Sequence, residues 1–336
     1  MPPSHSTAIK SHFDVSMFVP GVLGLAGLLI FCLTAGKISP SQLQERSFEE
    51  TAIEGEAFPK RLVDPSGEVQ IIPSPPQRIV SAILAGDEIL TALVSPDRLT
   101  AVTYLAGDPK FSNCAGLVPK SAARIHAEIE SIISLQPDLV ILAGYTRAET
   151  IRLLASANIP VLRFGKYGSF MDIEQNIRTI ASAVGAQSEA EKIVAGMNQR
   201  IANVEKRVAG LERSRVLYFS SDGYSSGKNT LIDEMIERAG GSNVMRHLNL
   251  KGPAFITTEM AIGLNPDVIL FAQWDPDSKN VSVQGLLEDP VWQHVAAVKN
   301  KRVFQVRGAW LTCVSQFAVN GLEETARWLH PEADKE

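Results

Sequence analysis

The residues of this chain best suited to chemistry are rings and cations that recur in one setting, the positions just after short apolar runs. Tyr104 follows Leu99 to Thr103, Tyr145 follows Asp138 to Ala143, and Tyr167 follows Pro160 to Phe164; Tyr224, Trp274 and Trp310 follow comparable runs in the second half. Arg147, Lys166, Lys228 and Arg307 are interleaved with them. Continuous runs of Val, Ile and Leu fit parallel strands covered on both faces, and open parallel sheets bind ligands beyond the carboxyl ends of their strands. Ring faces bury area at little entropic cost, while fixed cations meet carboxylate or phenolate oxygens. The set therefore predicts a binding cleft for a large, partly apolar, anionic small molecule. Taken singly, each aromatic has an alternative role as a cap on the core, and each Arg or Lys as a solvated loop residue.

Other chemistries lack their signatures. Gly223-Tyr-Ser-Ser-Gly227-Lys228-Asn229 is one residue short of a phosphate loop between its glycines and carries Asn where the loop needs Ser or Thr. There is no Gly-x-Gly-x-x-Gly, His-Glu-x-x-His or Gly-x-Ser-x-Gly, so neither a catalytic residue nor a cofactor is assigned, and the chain reads as a non-enzyme. Cys32, Cys114 and Cys313 have no Cys-x-x-Cys spacing and the six histidines are scattered, which excludes a disulfide framework and a metal site of the usual spacings. A Cys114–Cys313 bridge would tie the two halves together, and nothing in the sequence brings them to one place. His126 and His247 read as surface histidines. With 32 Lys and Arg against 37 Asp and Glu, a net charge of −5 argues against a nucleic-acid partner.

The elements that must position these residues are legible in the hydrophobic pattern. A chain of 336 residues with 45% hydrophobic and 21% charged residues is an ordinary globular composition, long enough for about two domains. Residues 1–36 stand apart: Val15 to Gly36 has no charge, and Met17 to Gly36 is long and apolar enough to cross a bilayer, so the segment is read as a cleaved signal peptide or a retained membrane anchor. Lipidation at Cys32 is disfavoured by the bulky Phe31 before it. Residues 37–77 form a leader with a turn at Pro65-Ser66-Gly67 between two short strands. A first lobe is predicted over 78–187, opening as strand (Ile79 to Leu84), helix and strand, and a second over 214–331, with strands at Arg215 to Ser220, Asp267 to Ala272 and Arg302 to Val306. Glu130 to Leu142 matches Glu259 to Leu270 in spacing and kind, which makes the two lobes related. Between them, 188–213 carries Ile193, Met197, Ile201, Val204, Val208 and Leu211 on one helical face, with Ser188 and Glu191 at capping-box spacing. The predicted fold class is α/β: two lobes, each a parallel sheet flanked by helices, joined by one long rigid helix.

Several of these segments resemble one family. PPQRIVSAILAGDEILTALV, with Glu88 in its helix, is similar to the opening of the iron-siderophore and cobalamin substrate-binding proteins of ABC importers. The resemblance continues through 130–142, through GYSSGKNTLIDEMIERAGG at 223–241 and through 259–270, covering about residues 58–330. It implies an exported, monomeric carrier that holds a metal chelate between its lobes and delivers it to an ABC permease with its ATPase subunits, remaining tied to the membrane if residues 1–36 are uncleaved. It also implies that Glu130 and Glu259 dock onto permease arginines, although an acid in the first turn of a helix is favoured by the helix dipole alone. Cobalamin binders often carry Trp six residues before the first docking glutamate, where this chain has Arg124, and at the equivalent point before Glu259 it has Pro253. Tyr224 and Trp310 match aromatic cleft positions, and the neighbouring cations point to an anionic ferric siderophore. Haem, with Tyr104, Tyr145 or His126 as axial ligand, and cobalamin are the alternatives on the same fold. A membrane-anchored enzyme or receptor using the same cleft is the alternative outside it.

Overall fold

The computed structural model describes residues 50–220, 223–273 and 283–334; the apolar segment 1–36 and Trp274 lie outside them. Among the described residues no helix is long and apolar enough to cross a membrane. The chain opens with three antiparallel strands, β1 (Ala52–Glu54), β2 (Lys60–Val63) and β3 (Val69–Ile72), in the order β1-β2-β3. The Asp64 carboxylate sets the predicted turn by accepting from the Ser66 and Glu68 amides at 2.8 and 2.9 Å, with Gly67 at φ 86° completing it. This unit is more than a leader hairpin. Thr51 donates its amide to the Arg163 carbonyl at 3.0 Å, and the Gln70 side chain bonds both Ile159 O and the Val161 amide, so the small sheet is fastened to the lobe that follows.

That lobe contains β4 (Ile79–Ser81), α1 (Leu84–Leu93), β5 (Leu99–Thr103), β6 (Ala123–Ile125), α2 (Ile129–Ser134), β7 (Leu139–Ala143), α3 (Ala148–Ser156), β8 (Val161–Phe164) and α4 (Phe170–Val184). All five strands are parallel, in the order β6-β5-β4-β7-β8. Every residue of β7 is buried, and alternate side chains enter different cores: Leu139 and Ile141 one, Val140 and Leu142 the other. A strand covered on both faces has no place for polar alternation, which is why it reads as a continuous apolar run.

The long helix α5 (Gln187–Val208) follows, then β9 (Arg215–Tyr218), β10 (Tyr224–Ser226), α6 (Leu231–Arg238), β11 (Ser242–Asn243), β12 (Pro253–Phe255), α7 (Thr258–Leu264), β13 (Val268–Gln273), α8 (Val283–Glu288), α9 (Ala296–Lys299), β14 (Val303–Arg307), α10 (Gly308–Leu311) and α11 (Ala318–Leu329). β11-β9-β13-β14 form a second parallel sheet, while β10 and β12 pair as a separate antiparallel ribbon. The fold is α/β, two lobes each with a parallel sheet flanked by helices and one long helix between them.

The internal repeat has a structural meaning. Asp138 accepts from the amides of Gln77 and Arg78 at 2.6 and 2.8 Å, and the Arg78 guanidinium reaches Leu135 O and Gln136 O at the end of α2. Asp267 does the same to the Arg215 amide at 2.9 Å, and Arg215 reaches Leu264 O and Asn265 O at the end of α7. Each Pro-Asp therefore clamps a helix end to the start of its lobe's first strand, satisfying carbonyls that a helix C-terminus leaves unpaired.

The long helix starts and ends differently from the sequence pattern. Its N-cap is Ala186 with no side-chain cap, and Glu191 pairs instead with Arg178 of α4 at 2.9 Å, so the expected capping box does not form. Leu211, the last residue of the predicted apolar stripe, lies beyond the helix and is 40% exposed. Met197, Ile201, Val204 and Val208 are buried in a core that also holds Ile89, Ile177, Met235 and Leu322. Arg200 fastens α5 to α11 through Glu323 at 2.8 and 2.7 Å and Asn320 at 2.6 Å. α11 in turn approaches α10 closely, since a Cβ on Gly321 would stand 2.6 Å from the Trp310 carbonyl oxygen. Gly321→Ala is expected to cost about 1–3 kcal/mol in urea unfolding and to displace Trp310, visible as a changed tryptophan emission of the native state.

Candidate functional site

In each sheet the strand order reverses once, and the crevice at that reversal is where open α/β sheets bind ligands. In the first sheet the reversal lies between β4 and β7, and Tyr145 stands just past the end of β7, partly buried, with burial raising its hydroxyl above the usual tyrosine range. In the second it lies between β9 and β13; Trp274, the next residue after β13, lies outside the described residues.

β5 and β6 pair in parallel with Thr103 opposite Ile125, so the next residue of each strand leaves the sheet beside the other. Those residues are Tyr104 and His126, whose rings stack with centroids 4.2 Å apart. The Tyr104 hydroxyl is buried with no hydrogen-bond partner, and burial raises its pKa. His126 is exposed, and Ala127 after it takes the left-handed backbone conformation at φ 65°. The stack depends on a pairing that the sequence does not announce.

The remaining aromatic candidates divide. Tyr167 belongs to the core at 6% exposure, and its hydroxyl donates to Phe164 O at 2.6 Å. Tyr224 is 7% exposed and lies inside β10 rather than in an open loop. The ring it supports is the accessible one: Phe255, opposite Tyr224 in the β10–β12 ribbon, meets it edge-on at 5.7 Å and is 57% exposed. Gly223 makes room for that ring, since a Cβ there would lie 2.7 Å from Phe255 Cε2. Sequence reasoning missed Phe255 because it precedes a helix in a stretch with no long apolar run; its signal is cross-strand position alone.

The cations divide too. Arg147 is exposed at the N-terminal end of α3. Lys166 is exposed but paired with Glu50 at 2.8 Å, which raises its pKa. Lys228 donates to Asn249 Oδ1 at 3.0 Å. Arg307 ends β14, places its guanidinium 5.3 Å from the Trp310 ring centre, and donates to Pro109 O at 2.6 Å and Ser112 O at 3.4 Å in the other lobe. Glu130 and Glu259 are both exposed in the first turns of α2 and α7; the Glu259 carboxyl is held below its usual range by its own backbone amide and by Thr257.

At the junction of the lobes Glu88 and Asp87 are buried side by side on α1. Glu88 Oε1 accepts from the Asn113 amide and Nδ2 at 2.8 and 2.9 Å, Oε2 from the Ser315 hydroxyl, and the Glu88 carbonyl from Gln316 Nε2 at 2.7 Å. Asn113 Oδ1 and Gln316 Oε1 are buried there without a partner, so polar capacity is left over at this floor. Cys114 and Cys313 are both free thiols. A separate cavity of about 540 Å³ opens at the C-terminal end of α5 between Glu205, Val208, Arg213, Glu237 and Arg238; it contains none of the strand-exit residues.

Residues 79–309 match a family model described as periplasmic binding protein. The chain belongs to the periplasmic binding protein family. Among its relatives, this periplasmic binding protein is 26% identical over 318 residues to YvrC of Bacillus subtilis, described as an ABC transporter substrate-binding lipoprotein, covering 92% of this chain and 96% of that one. It is 27% identical over 243 residues to a cobalamin-binding protein of Halobacterium salinarum, covering 70% and 64%. Among solved structures it is similar to the periplasmic heme-binding protein RhuT of Roseiflexus in apo form, with TM-score 0.65, 25% identity, and coverage of 76% of this chain and 99% of that one.

Burial pushes the Asp87 carboxyl up to about 8, opposed by hydrogen bonds from the Thr103 amide at 3.1 Å and hydroxyl at 2.5 Å. A carboxyl whose native pKa lies above its unfolded value binds an extra proton in the native state between the two. Its contribution is therefore greatest at acid pH and declines as pH rises toward 8. Asp87→Asn is expected to flatten the stability profile between about pH 5 and pH 8, removing a slope of up to ~1.4 kcal/mol per pH unit, measured by urea unfolding across that range.

Proposed function

We propose that this periplasmic binding protein is the substrate-binding component of an ABC import system, capturing a metal chelate, foremost a ferric siderophore, between its lobes and passing it unchanged to a membrane permease driven by ATPase subunits. The single observation that carries the ligand class is Arg307 over Trp310, a cation against a partly buried ring at the carboxyl end of β14 with Arg307 also touching the opposite lobe. A ring that already accepts a guanidinium suits an apolar chelate face, and the positive charge suits a chelate that carries net negative charge. Exposed Arg147, Phe255 and partly buried Tyr145 extend the same surface chemistry. Residues 1–36 send the chain out of the cytoplasm in this reading, as a monomer, and the exposed Glu130 and Glu259 meet permease arginines.

A second reading, haem, is favoured by one specific observation: the buried Tyr104 hydroxyl has no hydrogen-bond partner and its ring stacks on His126, so no hydrogen bond among the described residues competes with ferric iron for the phenol oxygen. The two readings separate in one titration of the purified chain, following intrinsic fluorescence and the visible spectrum against ferric hydroxamate and catecholate siderophores, haemin and cyanocobalamin. Saturable submicromolar quenching by a siderophore class is expected, and Trp310→Ala and Phe255→Ala should each weaken that binding about tenfold or more, a loss of ~1.4 kcal/mol per tenfold. Saturable haemin binding whose charge-transfer band disappears in Tyr104→Phe would instead establish the haem reading, and silence across the panel would overturn both. Reversing Glu130 and Glu259 together to Lys should abolish uptake in cells while leaving the fluorescence titration unchanged; undiminished uptake would remove the docking role.

A further inference from the structure

Glu88 gathers polar atoms of both lobes at once. It stands on α1, in the first lobe, at 1% exposure, and its two carboxylate oxygens look in different directions. Oε1 is held by the Asn113 amide and side chain of its own lobe at 2.8 and 2.9 Å; Oε2 takes the hydroxyl of Ser315, from the segment between α10 and α11. Gln316 of that same segment donates to the Glu88 carbonyl at 2.7 Å, and Asn113 Nδ2 carries the chain of bonds onward to Ala309 O at 2.6 Å. Arg307 closes the ring from the second lobe by bonding Pro109 O and Ser112 O. Side chains of both lobes thus meet at one buried glutamate, Asn113 and Ser315 at its carboxyl and Gln316 at its carbonyl.

The charged and titratable groups facing Glu88 come from every element around it: Asp87 on its own helix, Arg307 at the end of β14, Cys114 from the 108–122 loop and Cys313 from the segment after α10. Burial keeps both thiols neutral, pushing Cys114 up to about 12 and Cys313 well above the usual range, and Asp87 is uncharged below about 8. Arg307 is the facing cation among the described residues, and desolvation outweighs both it and the hydrogen bonds, raising the Glu88 pKa.

We propose that Glu88 is the positioning residue that sets the angle between the lobes, and that gain or loss of its proton tightens or loosens their junction. A protonated carboxyl can donate to the Ser315 hydroxyl while its other oxygen still accepts from Asn113, so the neutral form satisfies the junction without carrying charge into it. When the lobes part, water reaches the carboxyl and its pKa returns toward the ordinary carboxylate range. The closed form therefore binds the extra proton, and the sign follows: the junction is firmest at acid pH and loosens as pH rises from the ordinary carboxylate range through the raised one. Each pH unit within that window changes the closure equilibrium by up to about tenfold. A metal chelate held above this floor would be gripped more tightly in an acidified medium than in a neutral one.

The test needs no ligand and so stands apart from the identity of the cargo. Spin labels at the exposed positions Glu149→Cys and Lys299→Cys, one in each lobe of the full chain in a Cys32→Ser background, report the interlobe distance by pulsed electron resonance from about pH 4 to pH 8. The wild-type distribution is expected to be short and narrow at acid pH and to lengthen as pH rises. Glu88→Gln, a neutral isostere, is expected to stay short throughout, and Ser315→Ala, which removes the partner from the opposite lobe, to lengthen the distance at every pH. A wild-type profile that does not change with pH, or one that Glu88→Gln reproduces, would overturn the proposal.

Discussion

One apolar core runs uninterrupted from the first sheet through α1, α4 and α5 into α6, α11 and the second sheet, and the rest of the molecule is arranged by that continuity. Ile89 and Leu90, Ile173 and Ile177, Met197 and Ile201, Met235 and Leu322 all contribute to it at near-zero exposure. Two separately folded lobes on a flexible linker would each seal their own core; these lobes share theirs. Parting them completely would expose apolar surface at roughly 25 cal/mol per Å², so motion between them is confined to what small shifts at the junction allow. The long helix is accordingly a packed wall of that core, held along its length by Arg200 to Glu323 and by Arg178 to Glu191, rather than a free rod.

The polar groups at the junction follow from this constraint. A helix that begins at the carboxyl end of a parallel strand, as α1 does after β4, carries its first turns into the interlobe region whatever residues it bears. Asp87 and Glu88 occupy those turns, and burial of two adjacent carboxyls is tolerable only because Thr103, Asn113 and Ser315 surround them with donors. Above them, the register Thr103 opposite Ile125 sets Tyr104 against His126, and the edge position of β14 sets Arg307 against Trp310. The ring and cation contacts at the strand exits are thus consequences of strand pairing, with side chains supplying the chemistry at places the sheets define.

Much of the fold was legible in the linear order of residues. Apolar runs of the β7 kind marked the parallel strands, because a strand buried on both faces must be apolar throughout. The recurrence of Glu to Pro-Asp marked two related lobes, and the structure supplies the reason in the paired clamps of Asp138 with Arg78 and Asp267 with Arg215. The capping box at Ser188 and Glu191 failed because the helix already begins at Gln187, with Ala186 as its N-cap, which puts Ser188 inside the first turn and leaves Glu191 to pair with Arg178. The leader hairpin gained a third strand and a berth on the first lobe through Gln70 and Thr51, contacts between residues about a hundred positions apart.

What the sequence by itself determined is the set of elements and the kind of residue at each strand exit, since both follow from local periodicity and from the requirement that buried strands be apolar. Which exit residues stay accessible was decided only in three dimensions. Tyr167 and Tyr224 share the residue type of Tyr104 and also come after apolar runs in the sequence, yet the first spends its hydroxyl on Phe164 O and the second lies inside β10 against Phe255. Glu88, Asn113 and Ser315 meet although up to 227 positions separate them, and Phe255 becomes an open ring only because β12 pairs with β10. Pairing between distant strands and burial between lobes depend on long-range packing, which leaves no periodic trace in the chain.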